Sequence, residues 1–396
     1  MNSRDTIELY LLTILNDLEM SEQKHREKVS CDQFGGDRLF GEIWKLSLIR
    51  LIFNIVLPII MLGYDIFTLI RYTLSVSGGM KKIPCVKRVL ISPENLYYPA
   101  TRVKLSFDND MWIILPFRKR QSDRVVNKMS IFSLLTMSEV VRCWLLSIQS
   151  HLKAVSRFGY GVYFLSVKSF EWFVIDCALR KIPVDMELVS AFQKDRLSIL
   201  IDKLPHTHKT LIQHGAEFRL HNKMGIPRFH YLKEAKIWAW NLSYKHSSFE
   251  KIYCYSERDK AAFGYTMTNK PEFVITGYGF ETNSEVSKKS VLIITYYSLC
   301  FESEKRIIRD LQNLDIELFV KGHPTQPNQP YIELQKNYTF RFVTGRNFPN
   351  VDLVISTDST LAYEYESIGK EVIYEDDIDI KMIRNEVINK LNLIVK

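Results

Sequence analysis

Between Val291 and Lys321 the chain spells out one β-α-β unit. Val291–Thr295 is a short apolar run rich in β-branched residues, and Glu302–Leu314 then sets Ile307, Ile308, Leu311 and Leu314 at helical spacing. Ile316–Lys321 returns as a second apolar run. Such a unit closes by a right-handed crossover and commits its strands to a parallel sheet, which needs helices on both faces. The same alternation continues on either side. Ile252–Tyr255, Phe273–Thr276, Thr339–Val343, Val351–Ile355 and Val372–Tyr374 read as further strands, with helices over Thr360–Ile368 and Ile380–Leu391. From residue 246 onward the pattern is that of a doubly wound α/β domain. Upstream, Val86–Ile91, Trp112–Phe117 and Thr210–Gln213 have strand-like content, Ile7–Leu18 reads as a short helix, and Tyr160–Trp172 is rich in aromatic residues.

A chain of 396 residues, 46% apolar and 25% charged, has the composition of a folded protein and the length of two domains. The expected division is an N-terminal domain over 1–245 and a C-terminal domain over 246–396, joined near Asn241–Lys251. Six scattered cysteines, Cys31, Cys85, Cys143, Cys177, Cys254 and Cys300, form no C-x-x-C pair and fit reduced thiols better than a zinc site or a disulfide framework. The N-terminal residues carry Asp5, Glu8, Asp17 and Glu19 where an export signal would be apolar.

Charge is unevenly placed. Ile43–Lys128 holds 14 Lys/Arg against 5 Asp/Glu, a local excess of +9 in a chain whose net charge is +8. Positive charge concentrated in this way attracts phosphate-bearing partners. The same segment contains the most apolar stretch of the chain, Ile43–Leu74, broken by Arg50, Asn54, Pro58 and Asp65. Its cleanest run, Leu51–Tyr64, falls short of the ~20 apolar residues a spanning helix needs. Three readings stay open, a buried helix of the first domain, an interfacial contact with an anionic membrane, and a true span. Arg118–Lys119–Arg120, with Arg124 and Lys128, lacks the interleaved aromatics of a nucleic-acid surface, so no nucleic-acid partner is expected. Asp108–Asn109–Asp110 has a D-x-D form but precedes a strand-like run, which makes it a turn.

Three strand exits carry the candidate chemistry. Ser356–Thr357–Asp358–Ser359–Thr360 follows a strand and runs into a helix, so backbone N–H groups, hydroxyls and the positive end of the helix dipole can meet one anion. A single hydroxyl would serve as an N-cap. Four of them, with an aspartate, exceed that need and point to phosphate. Glu364, one turn on, is either an acceptor for ribose hydroxyls or a solvated surface carboxylate. In Lys321–Gly322–His323–Pro324 the proline biases His323 away from helical geometry, and a histidine held there can donate to a phosphate oxygen as charge grows on it. His214, in Gln213–His214–Gly215, is either a structural turn residue or a general base for a sugar hydroxyl, with Glu217 to orient it or replace it. Gly277–Tyr278–Gly279 follows a strand but lacks the third glycine of a dinucleotide fingerprint, so it reads as a loop beside the site.

His214–Gly215, His323–Pro324 and the Ser356–Thr360 loop, in that order and ahead of a helix carrying Glu364, resemble bacterial GT-B-type transferases of cell-surface polysaccharides. The nearest patterns are sialyl- and polysialyltransferases and the teichoic-acid polyol-phosphate transferases, which use cytidine-nucleotide donors. The resemblance covers Leu204–Tyr374. It implies an α/β fold of GT-B type, two Rossmann-like domains facing across a cleft with the nucleotide in the C-terminal one. It also implies metal-independent transfer from a CMP- or CDP-linked donor to a glycan acceptor, lipid-linked or outer-core, by an enzyme peripheral to the cytoplasmic face of the membrane. In its terms the donor site is Gly277, Lys321, His323, Pro324, Ser356, Thr357, Ser359, Thr360 and Glu364. The catalytic groups are His214, Glu217 and His323, with no metal and no cofactor. One departure is plain. The acidic base motif of the sialyltransferases is absent, and Gln213–His214–Gly215 stands closer to the Trp-His-Gly of the polyol-phosphate enzymes.

Overall fold

The structure, a computed structural model, describes residues 3–29, 59, 62–74, 83–84, 86–91, 110–115, 128–158, 169–191, 196–213, 244–295, 297–322, 328–345, 347–356 and 359–393. Most of the basic Ile43–Lys128 segment, including Asp108 and Arg118–Arg120, lies outside them. Within them, two separate sheets form, and every named strand pair is parallel.

The first sheet contains β1 (Arg88–Ile91), β2 (Met111–Ile114), β3 (Lys128–Ser130), β4 (Glu187–Ser190), β5 (Lys209–Ile212), β6 (Lys251–Cys254) and β7 (Glu272–Ile275), in the order β3-β2-β1-β4-β5-β6-β7. The second contains β8 (Ser290–Ile294), β9 (Glu317–Lys321), β10 (Arg341–Val343), β11 (Leu353–Ser356) and β12 (Glu371–Tyr374), in the order β10-β9-β8-β11-β12. Each sheet starts in its interior, grows outward for three strands, and then returns to the free side of its first strand. That is the doubly wound, Rossmann-like pattern. The α/β class with two such domains is therefore what the chain has.

Helices pack on the sheet face that carries Val89, Ile91, Leu188 and Leu211 in the first unit and Val291, Ile293 and Val320 in the second. In the first unit α1 (Ser3–Val29), α2 (62–74), α3 (Met137–Phe158), α4 (Ser169–Leu179), α5 (Arg196–Asp202) and α6 (Glu257–Thr266) accompany the sheet. Tyr10 of α1 meets Trp172 and Phe173 of α4 at ring distances of 5.3 and 5.2 Å, so the N-terminal helix belongs to this core. In the second unit α7 (Tyr297–Leu311), α8 (Gln329–Leu334) and α10 (Ile380–Leu391) bury Ile307, Ile308, Leu311, Tyr331, Leu334, Ile383 and Val387 with Val291, Ile293, Val320, Leu353 and Ile355 of the strands. α9 (Thr360–Ser367) follows β11 directly. Among the described residues no helix is long and apolar enough to cross a membrane.

The boundary differs from the sequence expectation. β6 and β7, assigned above to the C-terminal domain, hydrogen-bond into the first sheet, with Thr210 opposite Lys251 and Ile252 opposite Phe273. The second compact unit takes up the chain at Gly277. Parallel strands all read alike, so apolar pattern cannot say which sheet a strand joins. A buried polar knot does. Asp202, at the end of α5, accepts hydrogen bonds from the backbone N–H groups of Ser247 and Ser248, both at 2.9 Å, and from the hydroxyls of Ser248 and Tyr244. Burial pushes its carboxyl up, but these donors and nearby His246 outweigh that and leave it below the usual carboxylate range. Lys209, the first residue of β5 and itself buried, donates to the carbonyls of Asp202 and Leu204 at 2.9 and 2.6 Å and to Ser248 Oγ at 2.9 Å. The knot fastens residues 244–248 beside β5, and β6 has to follow.

Next to this knot, burial and the neighbouring Lys209 charge push His206 from 6.5 down to about 4. The unfolded chain takes up a proton there that the folded one refuses, so this stabilising contribution, full above pH 6.5, is lost as pH falls toward 4. In chemical denaturation at pH 6.5 and 4, the wild type should lose more stability than His206→Gln. Equal losses would contradict the assignment.

Candidate functional site

Open parallel sheets bind ligands outside the carboxyl ends of their strands, at the point where strand order reverses. In the second unit that point lies between β8 and β11, where Ser356 stands opposite Ile294. The chain leaves β8 through Thr295 and enters α7 at Tyr297, and it leaves β11 at Ser356 and enters α9 at Thr360. Two strand exits and two helix starts thus border one position on the sheet edge.

The β11 exit has the local geometry of a capped helix start. Ser359 is extended, with φ −135° and ψ 151°, and its hydroxyl oxygen accepts the Ala362 N–H at 3.2 Å. It is the N-cap, one of the two readings open from the sequence. The Ser359 hydroxyl proton is not spent on that bond, and Ser356 Oγ, fully buried, lies 3.5 Å away. Thr360 and Glu364 follow on the same face of α9, one turn apart, and Glu364 is buried. Ser356 and Ser359 are thereby brought together, with Thr360 and Glu364 on the helix that follows. Thr357 and Asp358 lie outside the described residues.

The β9 exit is fastened from two sides. Thr295 donates its N–H and its hydroxyl to the Lys321 carbonyl at 3.0 and 3.1 Å. Lys321 Nζ donates to the Gly345 carbonyl at 2.5 Å and sits 5.5 Å from the Phe348 ring centre. Burial lowers its pKa. Lys321 straps β9 to the loop between β10 and β11. Gly322 has no room for a side chain, since a Cβ there would meet Asn328 Oδ1 at 2.0 Å. Gly277, with φ +70°, begins a segment whose Phe280 packs 5.1 Å from Phe348 and 4.9 Å from Tyr365. Its left-handed backbone favours glycine.

Beneath the β8 exit lies a pair that sequence reasoning missed. Glu304 of α7, fully buried, accepts a hydrogen bond from the Tyr331 hydroxyl of α8. Burial, with this carboxylate, raises the Tyr331 phenol, while a side-chain bond to Thr295 opposes the rise. The pair braces α7, α8 and the end of β8 together. The signal available in sequence was Thr295 itself, a polar residue closing the cleanest apolar strand. Elsewhere, Asp110 of the D-x-D stretch is buried against Arg88, with Oδ2 2.8 Å from Nη2, in keeping with a structural role. Among the described residues no group of three or more His, Cys, Asp or Glu side chains could hold a metal ion.

His214, Glu217, His323 and Pro324 lie outside the described residues. The elements that lead to them are placed: Gln213 follows β5, its side-chain oxygen accepting the Tyr255 N–H at 2.8 Å, and Gly322 follows β9.

No family model matches the chain, and no curated protein matches it. Among solved structures it is similar to the crystal structure of TarM, at 10% sequence identity and a TM-score of 0.34. The match covers 56% of this chain and 51% of that one, so the chain spans about half the length of that structure.

Removing the cap tests the local account of the β11 exit. Ser359→Ala should cost about 1 kcal/mol in urea denaturation, whereas Ser359→Asn should recover most of it. An alanine variant as stable as the wild type would show that Ser359 does not cap α9.

Proposed function

We propose that the chain is a GT-B-type glycosyltransferase that moves a sugar from a cytidine-nucleotide donor to a cell-surface glycan. The observation that carries this reading is the hydroxyl-lined exit of β11, capping a helix at the reversal point of a Rossmann-like sheet. A phosphate there would receive the Ser359 and Thr360 hydroxyls, the first N–H groups of α9 and the positive end of its dipole. The cytidine base and the sugar, sialic acid or a related one, come from the resemblance drawn above.

In the reaction, the bond between the anomeric carbon and the nucleotide phosphate breaks as an acceptor oxygen bonds to that carbon. His214 or Glu217 takes the acceptor proton, and the phosphate leaves with the bonding pair. Charge growing on it would meet His323, the Ser/Thr loop and the helix terminus, donors whose electrostatic effect needs no metal. Glu364 would accept hydrogen bonds from the ribose. The acceptor is a capsule or lipooligosaccharide glycan at the cytoplasmic face of the membrane.

Gln213–His214–Gly215 favours a second reading, a CDP-polyol phosphotransferase of teichoic-acid type. Release of CMP from CMP-sialic acid, set against release from CDP-glycerol, separates the two. A non-catalytic phosphate or nucleic-acid binder would release CMP from neither and would bind DNA or RNA in a salt-sensitive way.

Two measurements test the proposal. In a thermal-shift panel of CMP, CDP, UDP and GDP, cytidine nucleotides should raise the unfolding temperature most, and stabilisation by the purine alone would reject the cytidine assignment. His323→Ala should lower turnover by about two orders of magnitude or more with the unfolding temperature unmoved. Near-normal turnover in that variant would remove His323 from the mechanism.

A further inference from the structure

Helix α2 turns only part of its apolar surface inward: Tyr72 lies in the core and Leu69 packs against it. Its fully buried residues are Asp65, Thr68 and Tyr72, each only 1% exposed. Those it turns to solvent are Leu62, Ile66, Phe67, Ile70 and Leu74, with Phe67 61% and Leu74 71% exposed. At 3.6 residues per turn these five share one face, and Ile59, one turn earlier, is exposed as well. A surface helix of a water-soluble domain turns such a stripe to the core.

The neighbouring helix repeats the exposure. On α3, Met137, Val141, Leu145 and Leu152 form a second outward apolar stripe. The two helices are tied by buried polar groups. Ser147 of α3 donates to Asp65 Oδ2 at 3.0 Å, and His151 Nε2 lies 3.4 Å from the same oxygen. Ser169 of α4 completes the cluster, 2.6 Å from Ser147 Oγ and 2.8 Å from His151 Nε2. Ser147 and His151 mark the side of α3 that faces Asp65, and the apolar stripe of α3 lies about a quarter turn from that side. With Asp65 spent on this cluster, α2 cannot roll its apolar face inward without stranding a buried carboxylate.

Charge identifies the occupant. The two helices carry one carboxylate each, and both are engaged with the protein: Asp65 as described, Glu139 with Lys181 at 2.5 Å and the Thr136 N–H at 2.7 Å. Their cations are exposed. Arg71 flanks the α2 stripe, and Arg142, Lys153 and Arg157 line the far edge of α3, the last two alongside Glu8 of α1. The sequence around α2 adds the +9 excess of Ile43–Lys128. Two helices with exposed apolar faces, exposed cations and carboxylates engaged by the protein suit the surface of an anionic bilayer.

We propose that the exposed apolar faces of α2 and α3, two helices tied at Asp65, form a docking surface for anionic lipid, with Phe67, Ile70, Leu74 and Leu145 entering the acyl boundary and Arg71 among the headgroups. The inference stands independently of the transferase reading, because it uses no residue of the nucleotide site.

The test is flotation of the full chain with phosphatidylcholine vesicles and with vesicles that also contain phosphatidylglycerol. Binding should require the anionic lipid and should weaken by about tenfold or more in Phe67→Ser/Ile70→Ser and in Leu145→Gln, with unchanged unfolding temperatures and nucleotide response. The two variants lie on different helices, so a folding defect in one leaves the other to decide. The proposal is overturned if neither vesicle binds, if both bind equally, or if the variants float like the wild type. It is likewise overturned if the wild type is a dimer that these substitutions split while vesicles leave it untouched, since a second copy would then own the face.

Discussion

β11 lies against β8 in parallel register, Leu353 opposite Val291 and Ser356 opposite Ile294, and this pairing decides where ligand chemistry can sit. Were β11 to continue the outward series beyond β10, its exit loop would end at the sheet margin. By returning to the free side of β8 it brings the hydroxyls of Ser356 and Ser359 beside the end of the most central strand. It also aims the start of α9 along the same edge as the start of α7. At the start of α9 the Ala362 N–H meets the Ser359 hydroxyl and carbonyl and the Tyr363 N–H the Ser359 carbonyl, and the helix dipole leaves this end positive.

Buried polar groups accompany both ends of this architecture, with different consequences. The Asp202–Lys209 knot lies where β5 begins, away from the strand exits, and fixes which sheet receives β6 and β7. The Glu304–Tyr331 pair sits near the exit of β8, and the Lys321–Gly345 strap lies beside it on β9. These hold the rim of the candidate site without occupying it. The chain thus uses buried, hydrogen-bonded charged groups to define topology in the first unit and to brace strand exits in the second.

Much of the second unit was legible in sequence because parallel strands buried on both faces read as unbroken apolar runs. Ser290–Ile294 and Leu353–Ser356 are such runs, fully buried. The hydroxyl loop was legible for the same reason, since it follows a run that can only be a strand. The boundary was not. Lys251–Cys254 and Glu272–Ile275 have the pattern of either sheet, and the residues that place them, Asp202 and Lys209, read as surface charges until their partners some 40 residues away are known. Hydropathy was also silent on α2. Its apolar stripe is equally apparent whether it faces core or solvent, and only the inward Asp65, Thr68 and Tyr72 distinguish the two. Glu304 and Tyr331, 27 residues apart, leave no mark at either position.

The central claim is that nucleotide phosphate binds where strand order reverses in the second sheet. A crystal structure of the full chain with CMP tests it most directly. The account predicts a phosphate oxygen within hydrogen-bond distance of Ser359 or Thr360, beside the end of β8. A nucleotide seated on the first sheet, or on the outer side of β10 or β12, would contradict it.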